Sequence, residues 1–376
     1  MAGIMAESRT ATKGTDGAGA GLGTGADTGV DLGRAGPGIL HGGDLDGARA
    51  AFPTAPLPWI DLSTGINPWP YPLPPIPADA WNRLPARGAE AGLRAAAASC
   101  YGAPSAHHVA AASGSQALIQ LLPRLRPPGR VVVVTPTYAE HAACWAAAGH
   151  RVGEVATLAD ADAAGAAVIV VVNPNNPDGR VHPVADLLAL AERQAARGGW
   201  LVVDEAFADA DPVASVAGHT DQPGLIVLRS FGKFYGLAGL RLGIALCAEP
   251  LAAALRAAIG PWAVSGPGLV VATAALSDAA WAVATRQRLA DAAAALDARL
   301  AALGLRVVGG TSLFRLVVDH RAAALYRGLG AAGLLVRRFE RQAEWLRLGL
   351  PPDAASAQRL TEACDRVLKR ENPSAP

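Results

Sequence analysis

Five short apolar runs, over residues 131–134, 168–172, 201–203, 225–228 and 242–246, recur between stretches of helical composition in the middle of this chain. Each is a continuous run of mostly Val, Ile and Leu instead of an apolar/polar alternation, and a strand that reads this way is covered on both faces. The runs therefore predict a mostly parallel sheet between two layers of helices, and the fold class is α/β. A helix is expected over 89–101, before the first run. After Trp262 the pattern changes: an Ala/Leu/Arg helix is predicted over 278–303, strands over 306–308 and 313–318, a helix over 322–331 and a last helix after Pro352. That is the composition of a smaller α+β domain. The expected division is a tail (1–38), an arm (39–77), a large domain (78–265) and a small C-terminal domain (266–373).

The tail is rich in Gly, Ala, Thr and Asp. It has too few large apolar groups to offset the entropy of ordering, and disorder is expected there. It also lacks the continuous apolar segment of a signal peptide. The Pro-rich passage 53–77 cannot be a continuous helix, because Pro lacks an N–H and restricts the residue before it; it reads as an extended arm. Charge is nearly balanced, with 33 Lys and Arg against 32 Asp and Glu, so nothing points to a nucleic-acid or membrane partner. The four cysteines, Cys100, Cys144, Cys247 and Cys364, are scattered with no metal-ligand spacing. They read as reduced thiols of a cytoplasmic protein, most of them small core residues, and no metal site is expected.

Open α/β sheets place ligands at the carboxyl ends of their strands, and five segments there carry chemistry. Ala112-Ser113-Gly114-Ser115-Gln116 reads as a turn opening a helix, where free N–H groups suit a phosphate; Ser113 by itself is expected to be an ordinary N-cap. Tyr138, two residues after Pro136, could lie against an aromatic ring. Asn173-Pro174-Asn175-Asn176-Pro177-Asp178-Gly179 is a turn-dense loop in which Asn176 could donate to a phenolate oxygen. Asp204 and Glu205 end an apolar run, and a carboxylate in that setting needs a cationic partner, either an Arg or a protonated pyridine nitrogen. Last comes Ser230-Phe231-Gly232-Lys233, with Arg241 eight residues beyond the lysine. Lys, Arg and Ser in a Gly-punctuated loop could hold an aldehyde cofactor through its carbonyl and its phosphate together, and pyridoxal 5'-phosphate (PLP) is such a cofactor.

In this order the segments resemble the fold-type I PLP enzymes of the class I/II aminotransferase superfamily, over roughly residues 41–350. The resemblance implies that Lys233 carries the Schiff base, Asp204 pairs with the pyridinium nitrogen, Asn176 bonds the phenolic oxygen and Tyr138 stacks on the ring. Gly114, Ser115, Gln116, Ser230 and Arg241 would surround the cofactor phosphate. Gly232 and Phe207 stand where many relatives have Ser and Tyr, and Leu84 stands where relatives contribute a tyrosine across a dimer interface. A homodimer is implied.

The ends of the chain narrow the resemblance. His41-Gly42-Gly43-Asp44-Leu45 and Ser63-Thr64-Gly65-Ile66-Asn67-Pro68 look like the arm of the threonine-phosphate decarboxylases, a cobalamin-pathway branch similar to histidinol-phosphate aminotransferases. What this implies is a small phosphorylated amino-acid substrate, with Arg347 on its carboxylate, Arg337 and His41 facing its phosphate, and Gly65, Asn67 and Asn176 near it. Arg338 would point the other way, since side chains alternate along a strand. The expected reaction is decarboxylation of L-threonine O-3-phosphate, with a histidinol-phosphate-type aminotransferase as the alternative.

Overall fold

A seven-stranded sheet forms where the Val-rich runs predict one. In the computed structural model residues 41–371 are described, and the tail predicted over 1–38 lies outside them. The strands in chain order are β1 (Ile60–Asp61), β2 (Val109–Ala112), β3 (Arg130–Val134), β4 (Arg151–Val155), β5 (Val168–Val172), β6 (Trp200–Asp204), β7 (Leu225–Ser230), β8 (Gly243–Cys247), β9 (Arg306–Thr311), β10 (Phe314–Val318), β11 (Leu334–Leu335), β12 (Arg337–Arg338) and β13 (Trp345–Gly349). The large sheet has the order β2-β8-β7-β6-β5-β3-β4, and only β8 runs against its neighbours.

Both faces of this sheet are buried, in strict alternation. Val132, Val134, Ile169, Val171, Leu201, Val203 and Val227 pack into one apolar cluster beneath helices Arg87–Tyr101 and Val184–Ala196. Their neighbours Val131, Val133, Val168, Val170, Val202 and Ile226 pack into another with helices Ser115–Leu121 and Glu249–Ile259. At about 1.5–3 kcal/mol per buried Val, Ile or Leu, this two-sided burial fixes which strand end each polar residue occupies.

Downstream, β12-β13-β10-β9 form an antiparallel sheet with helices Ala279–Ala302, Ala322–Ala331 and Ala354–Glu371. The strand on which the sequence sets Arg337 and Arg338 is interrupted at Val336: β11 pairs in parallel with β1 of the arm, and β12 pairs with β13. Strands β2 and β4 were not anticipated. Cys247 and Cys364 are buried whereas Cys144 is partly exposed and Cys100 exposed, so half of the thiols, not most, are core residues. Among the described residues no single helix is long and apolar enough to cross a membrane.

After helix Leu45–Ala51 the arm forms no helix until Ala78, as its prolines require. It is stitched to both parts of the molecule through its backbone. Ile60 N donates to Gly333 O (3.0 Å), Leu62 N to Leu335 O (2.7 Å), Asn67 N to Lys233 O (3.0 Å) and Tyr71 N to Tyr235 O (2.9 Å).

Candidate active site

The carboxyl ends of β3, β5, β6 and β7 deliver the sequence-predicted residues to one region, with the arm crossing it. Lys233 sits in a short helix, Phe231–Phe234, directly after β7. Its Nζ donates to Thr64 O of the arm at 3.1 Å and lies 5.6 Å from the Phe207 ring centroid. Burial, reinforced by the Arg347 charge, pulls the ammonium down to about 8, against the opposing pull of Asp204 and Asp61. Near neutrality roughly a tenth of this lysine is therefore in the neutral, nucleophilic form, far more than an unperturbed lysine keeps.

Asp204 ends β6 and is buried. Its partner is neither an Arg nor open space: His141 Nε2 lies 2.8 Å from Oδ2, both side chains being almost completely buried. His141 was missed in the sequence because nothing local marks it. It reaches Asp204 only because β3, which leads into helix Glu140–Ala147, lies one strand beyond β5 from β6. The one available clue is spacing, since His141 stands three residues after Tyr138, the reach of one helical turn. The arginine ion pair expected as one option for this acidic pair belongs to Glu205, whose Oε2 is 2.9 Å from Arg229 Nη2.

The three asparagines of the turn separate by role. Asn173 donates to Ala214 O (3.1 Å) and accepts from His182 N (2.7 Å). Asn175 donates to Pro136 O (2.8 Å) and Asp178 Oδ1 (2.7 Å). Both hold the turn together. Asn176 accepts a hydrogen bond from Arg347 Nη1 and is the one tied to the site.

The glycine turn before helix Ser115–Leu121 lies beside the end of β7 and the start of β8. A Cβ on Gly243 would sit 2.1 Å from Ser115 N and 2.4 Å from Gly114 C, so only Gly lets these backbones meet. Gly114 takes φ +95°, and the Arg241 guanidinium lies against it, with Nη2 2.7 Å from where a Cβ would be. Ser230 ends β7 next to this turn, paired with Gly243. Ser113 is not the expected N-cap: Gly114 holds that position, and Ser113 Oγ instead donates to Ala263 O at 2.5 Å. Tyr138 Oη donates to Gln116 Oε1 at 3.2 Å.

Arg347 on β13 is buried, at 5% exposure. It donates to Asn176 Oδ1 and Ser63 O, and its Nε has no hydrogen-bond partner among the described residues. No carboxylate lies within ion-pair distance of it among those residues. Burial and then the charge of Arg337 push its guanidinium down to about 9, against the smaller opposing pull of Asp61, which is not within ion-pair distance. Arg337 faces Arg347 directly across β12 and β13; Arg338 is exposed, its guanidinium 5.1 Å from the Tyr326 ring. His41 Nε2 is 2.9 Å from Glu140 Oε1. Gly65 takes φ +61° against Phe314 and Phe207. Asn67 is committed to backbone, donating to Phe234 O (2.8 Å) and accepting from Trp69 N (2.9 Å), and so fastens the arm to the lysine loop.

The model of the family "Aminotransferase class I and II" matches residues 78–367. The chain belongs to this family. It is 48% identical over 331 residues to a threonine-phosphate decarboxylase of Sinorhizobium sp, covering 88% of this chain and 98% of the relative. It is 49% identical over 331 residues to the threonine-phosphate decarboxylase of Pseudomonas aeruginosa, covering 86% and 97%. Among solved structures, histidinol-phosphate aminotransferase from Sinorhizobium meliloti in complex with pyridoxal-5'-phosphate is similar in fold, with a TM-score of 0.67 and 24% identity over 78% of this chain and 84% of that one.

Gly232, Phe207 and Leu84, the three positions singled out in the sequence as departures, have different surroundings. A Cβ on Gly232 would lie 2.7 Å from Ala238 Cα, a backbone atom that cannot step aside without moving the loop. Phe207 is buried edge-on against Phe314, with ring centroids 5.0 Å apart. Leu84 is 68% exposed. Among the described residues no three His, Cys, Asp or Glu side chains converge on a possible metal position.

Proposed function

We propose that this chain is a PLP-dependent carboxy-lyase that converts L-threonine O-3-phosphate to (R)-1-amino-2-propanol O-2-phosphate and CO2, supplying an amino-alcohol phosphate for cobalamin. The observation that carries the substrate class is Arg347. It is a buried guanidinium with no carboxylate beside it among the described residues, directly opposite a second arginine. Like charges placed across a strand pair repel, and an uncompensated buried cation is costly. An anionic substrate supplies the missing charge. The reaction is favoured over transamination by the high identity to the two decarboxylases along nearly their whole length.

The residues fit the cofactor. The glycine-lined cradle at Gly243, Gly114 and Ser115 admits no Cβ where backbones meet; the lysine has a depressed ammonium; and a buried Asp204–His141 couple stands at the strand end. Lys233 would hold the cofactor carbonyl, Asp204 its ring nitrogen, Tyr138 its ring face and Asn176 its phenolic oxygen. Gly114, Ser115, Gln116, Ser230 and Arg241 would hold its phosphate. When bound, the cofactor supplies an electron sink for the bond broken at the substrate's α-carbon.

The chain's own residues decide which bond that is. Arg347, locked by Asn176 and the Ser63 carbonyl, would grip the α-carboxylate with a rigid fork. Arg337 and His41 would take the phosphate, and the Gly65 bend brings the arm over the substrate. Lys233, largely able to lose its proton near pH 8, is the group placed to return one to the α-carbon. Asn67 acts by fixing the arm. A two-fold homodimer is part of this reading, with the exposed Leu84 segment at its interface, as are a cytoplasmic setting, in keeping with four free thiols, and a domain division near residue 265.

The test is direct. Holoenzyme incubated with L-threonine O-3-phosphate and no keto acid is expected to release CO2 over many turnovers. Activity that appears only when 2-oxoglutarate is added would overturn the proposal in favour of an aminotransferase.

A further inference from the structure

Glu140 is an acid in a site otherwise arranged for anions. It opens helix Glu140–Ala147, its side chain is 16% exposed, and its two oxygens are divided between partners. Oε1 lies 2.9 Å from His41 Nε2, and Oε2 accepts from Gln116 Nε2 at 2.8 Å. With the Tyr138–Gln116 bond, an unbroken chain of contacts runs from His41 through Glu140 and Gln116 to the Tyr138 ring.

His41 needs such a partner. Its side chain is 47% exposed, and an exposed side chain left to itself samples several rotamers. Its backbone is set by the next two residues: a Cβ on Gly42 would lie 2.5 Å from Ser63 O, and Gly43 N donates to Ser63 Oγ at 2.8 Å. Its imidazole is bonded only by Glu140 among the described residues. By accepting from Nε2–H, the carboxylate fixes the plane of the ring and with it the direction of the remaining nitrogen, Nδ1.

We infer that Glu140 is a positioning residue for the substrate phosphate, acting through His41: it holds the imidazole ring by Nε2 so that the other edge, at Nδ1, faces the phosphate. The inference rests on the proposed function for the presence of a phosphate on the substrate and for His41 facing it.

The test uses holoenzymes of the wild type, Glu140→Gln, Glu140→Ala, His41→Ala and the Glu140→Ala/His41→Ala double variant. The probe is O-phosphoethanolamine, which carries an amine and a phosphate but no carboxylate, with ethanolamine as control; binding is read from the absorbance of the bound cofactor. Each alanine variant is expected to bind O-phosphoethanolamine roughly tenfold or more weakly, Glu140→Gln less so, and ethanolamine as well as the wild type does. The double variant is expected to be no worse than His41→Ala, since both changes remove one interaction. With threonine phosphate the loss should fall on KM more than on kcat. Unchanged O-phosphoethanolamine affinity, an equal loss for ethanolamine, or additive losses in the double variant would overturn the inference. So would a loss confined to cofactor affinity, which would assign Glu140 to Gln116 alone. Because the probe cannot lose CO2, a negative decarboxylation assay leaves this comparison readable.

Discussion

Two buried arginines, Arg229 and Arg347, live under opposite electrostatic regimes. Arg229 is 2% exposed, yet Glu205 and Asp209 flank it at 2.9 and 3.1 Å, and the Tyr101 ring covers it at 4.5 Å. Burial alone would pull its guanidinium down, but the two carboxylates outweigh that and hold it above its usual value. Arg347, at 5% exposure, has burial and the neighbouring Arg337 acting together, and falls to about 9. The chain neutralises the first cation itself; on the function proposed above, the second is left for the substrate's carboxylate.

The comparison can be broken at either end. Arg229→Met would leave Glu205 and Asp209 buried without their counter-charge and should cost about 3–5 kcal/mol in denaturant unfolding. Arg347→Met should leave stability unchanged or raise it while lowering kcat/KM by roughly 10³-fold. If the two variants exchanged these phenotypes, the division of roles would be wrong.

Lys233 belongs with Arg347, and pH sharpens the point. Its folded value of about 8 lies below its usual 10.5, so between those values the unfolded chain holds a proton that the folded apoprotein has released. Stability from this group is lowest below pH 8 and recovers as pH rises towards 10.5, by at most about 3 kcal/mol. Lys233→Met should abolish turnover and remove that rise, as followed by thermal unfolding of the apoprotein across the window.

Smaller effects follow for the supporting residues. His141→Ala leaves Asp204 with only the Ala206 N–H bond at 3.0 Å and should lower kcat roughly 10–100-fold, with the fold intact by circular dichroism. Gly232→Ser, which would restore a hydroxyl common among relatives, drives a Cβ against the Ala238 backbone and should cost about 1–3 kcal/mol. A neutral Gly232→Ser would show that the Ala238 loop yields.

What the sequence made legible, and what it hid, follow from the same physics. Strand β5, Val168–Val172, was read to the residue because both its faces are buried and every position is Val or Ile. β2 is one Val and three Ala, and β4 is a partly exposed edge strand containing Gly and Glu, so neither carries an apolar run. Tyr138, Asn176, Asp204 and Lys233 were legible because each follows an apolar run, whereas Gly114, Ser115 and Gln116, after β2, were legible only as a Gly-Ser turn opening a helix. His141 and Glu140 were not, since their partners Asp204 and His41 stand 63 and 99 residues away in sequence and meet them only through sheet order and the path of the arm. The Gly232 constraint was invisible for the same reason: it depends on how closely Ala238 returns.

On the proposed function, the cations around Lys233 serve a substrate bearing both a carboxylate and a phosphate. The ratio of kcat/KM for CO2 release from L-threonine O-3-phosphate to that from L-threonine, with wild-type holoenzyme, decides this. A preference of roughly 10²–10³-fold or more for the phosphorylated substrate is expected from the loss of the phosphate's contacts with Arg337 and His41; comparable values for the two would contradict this reading.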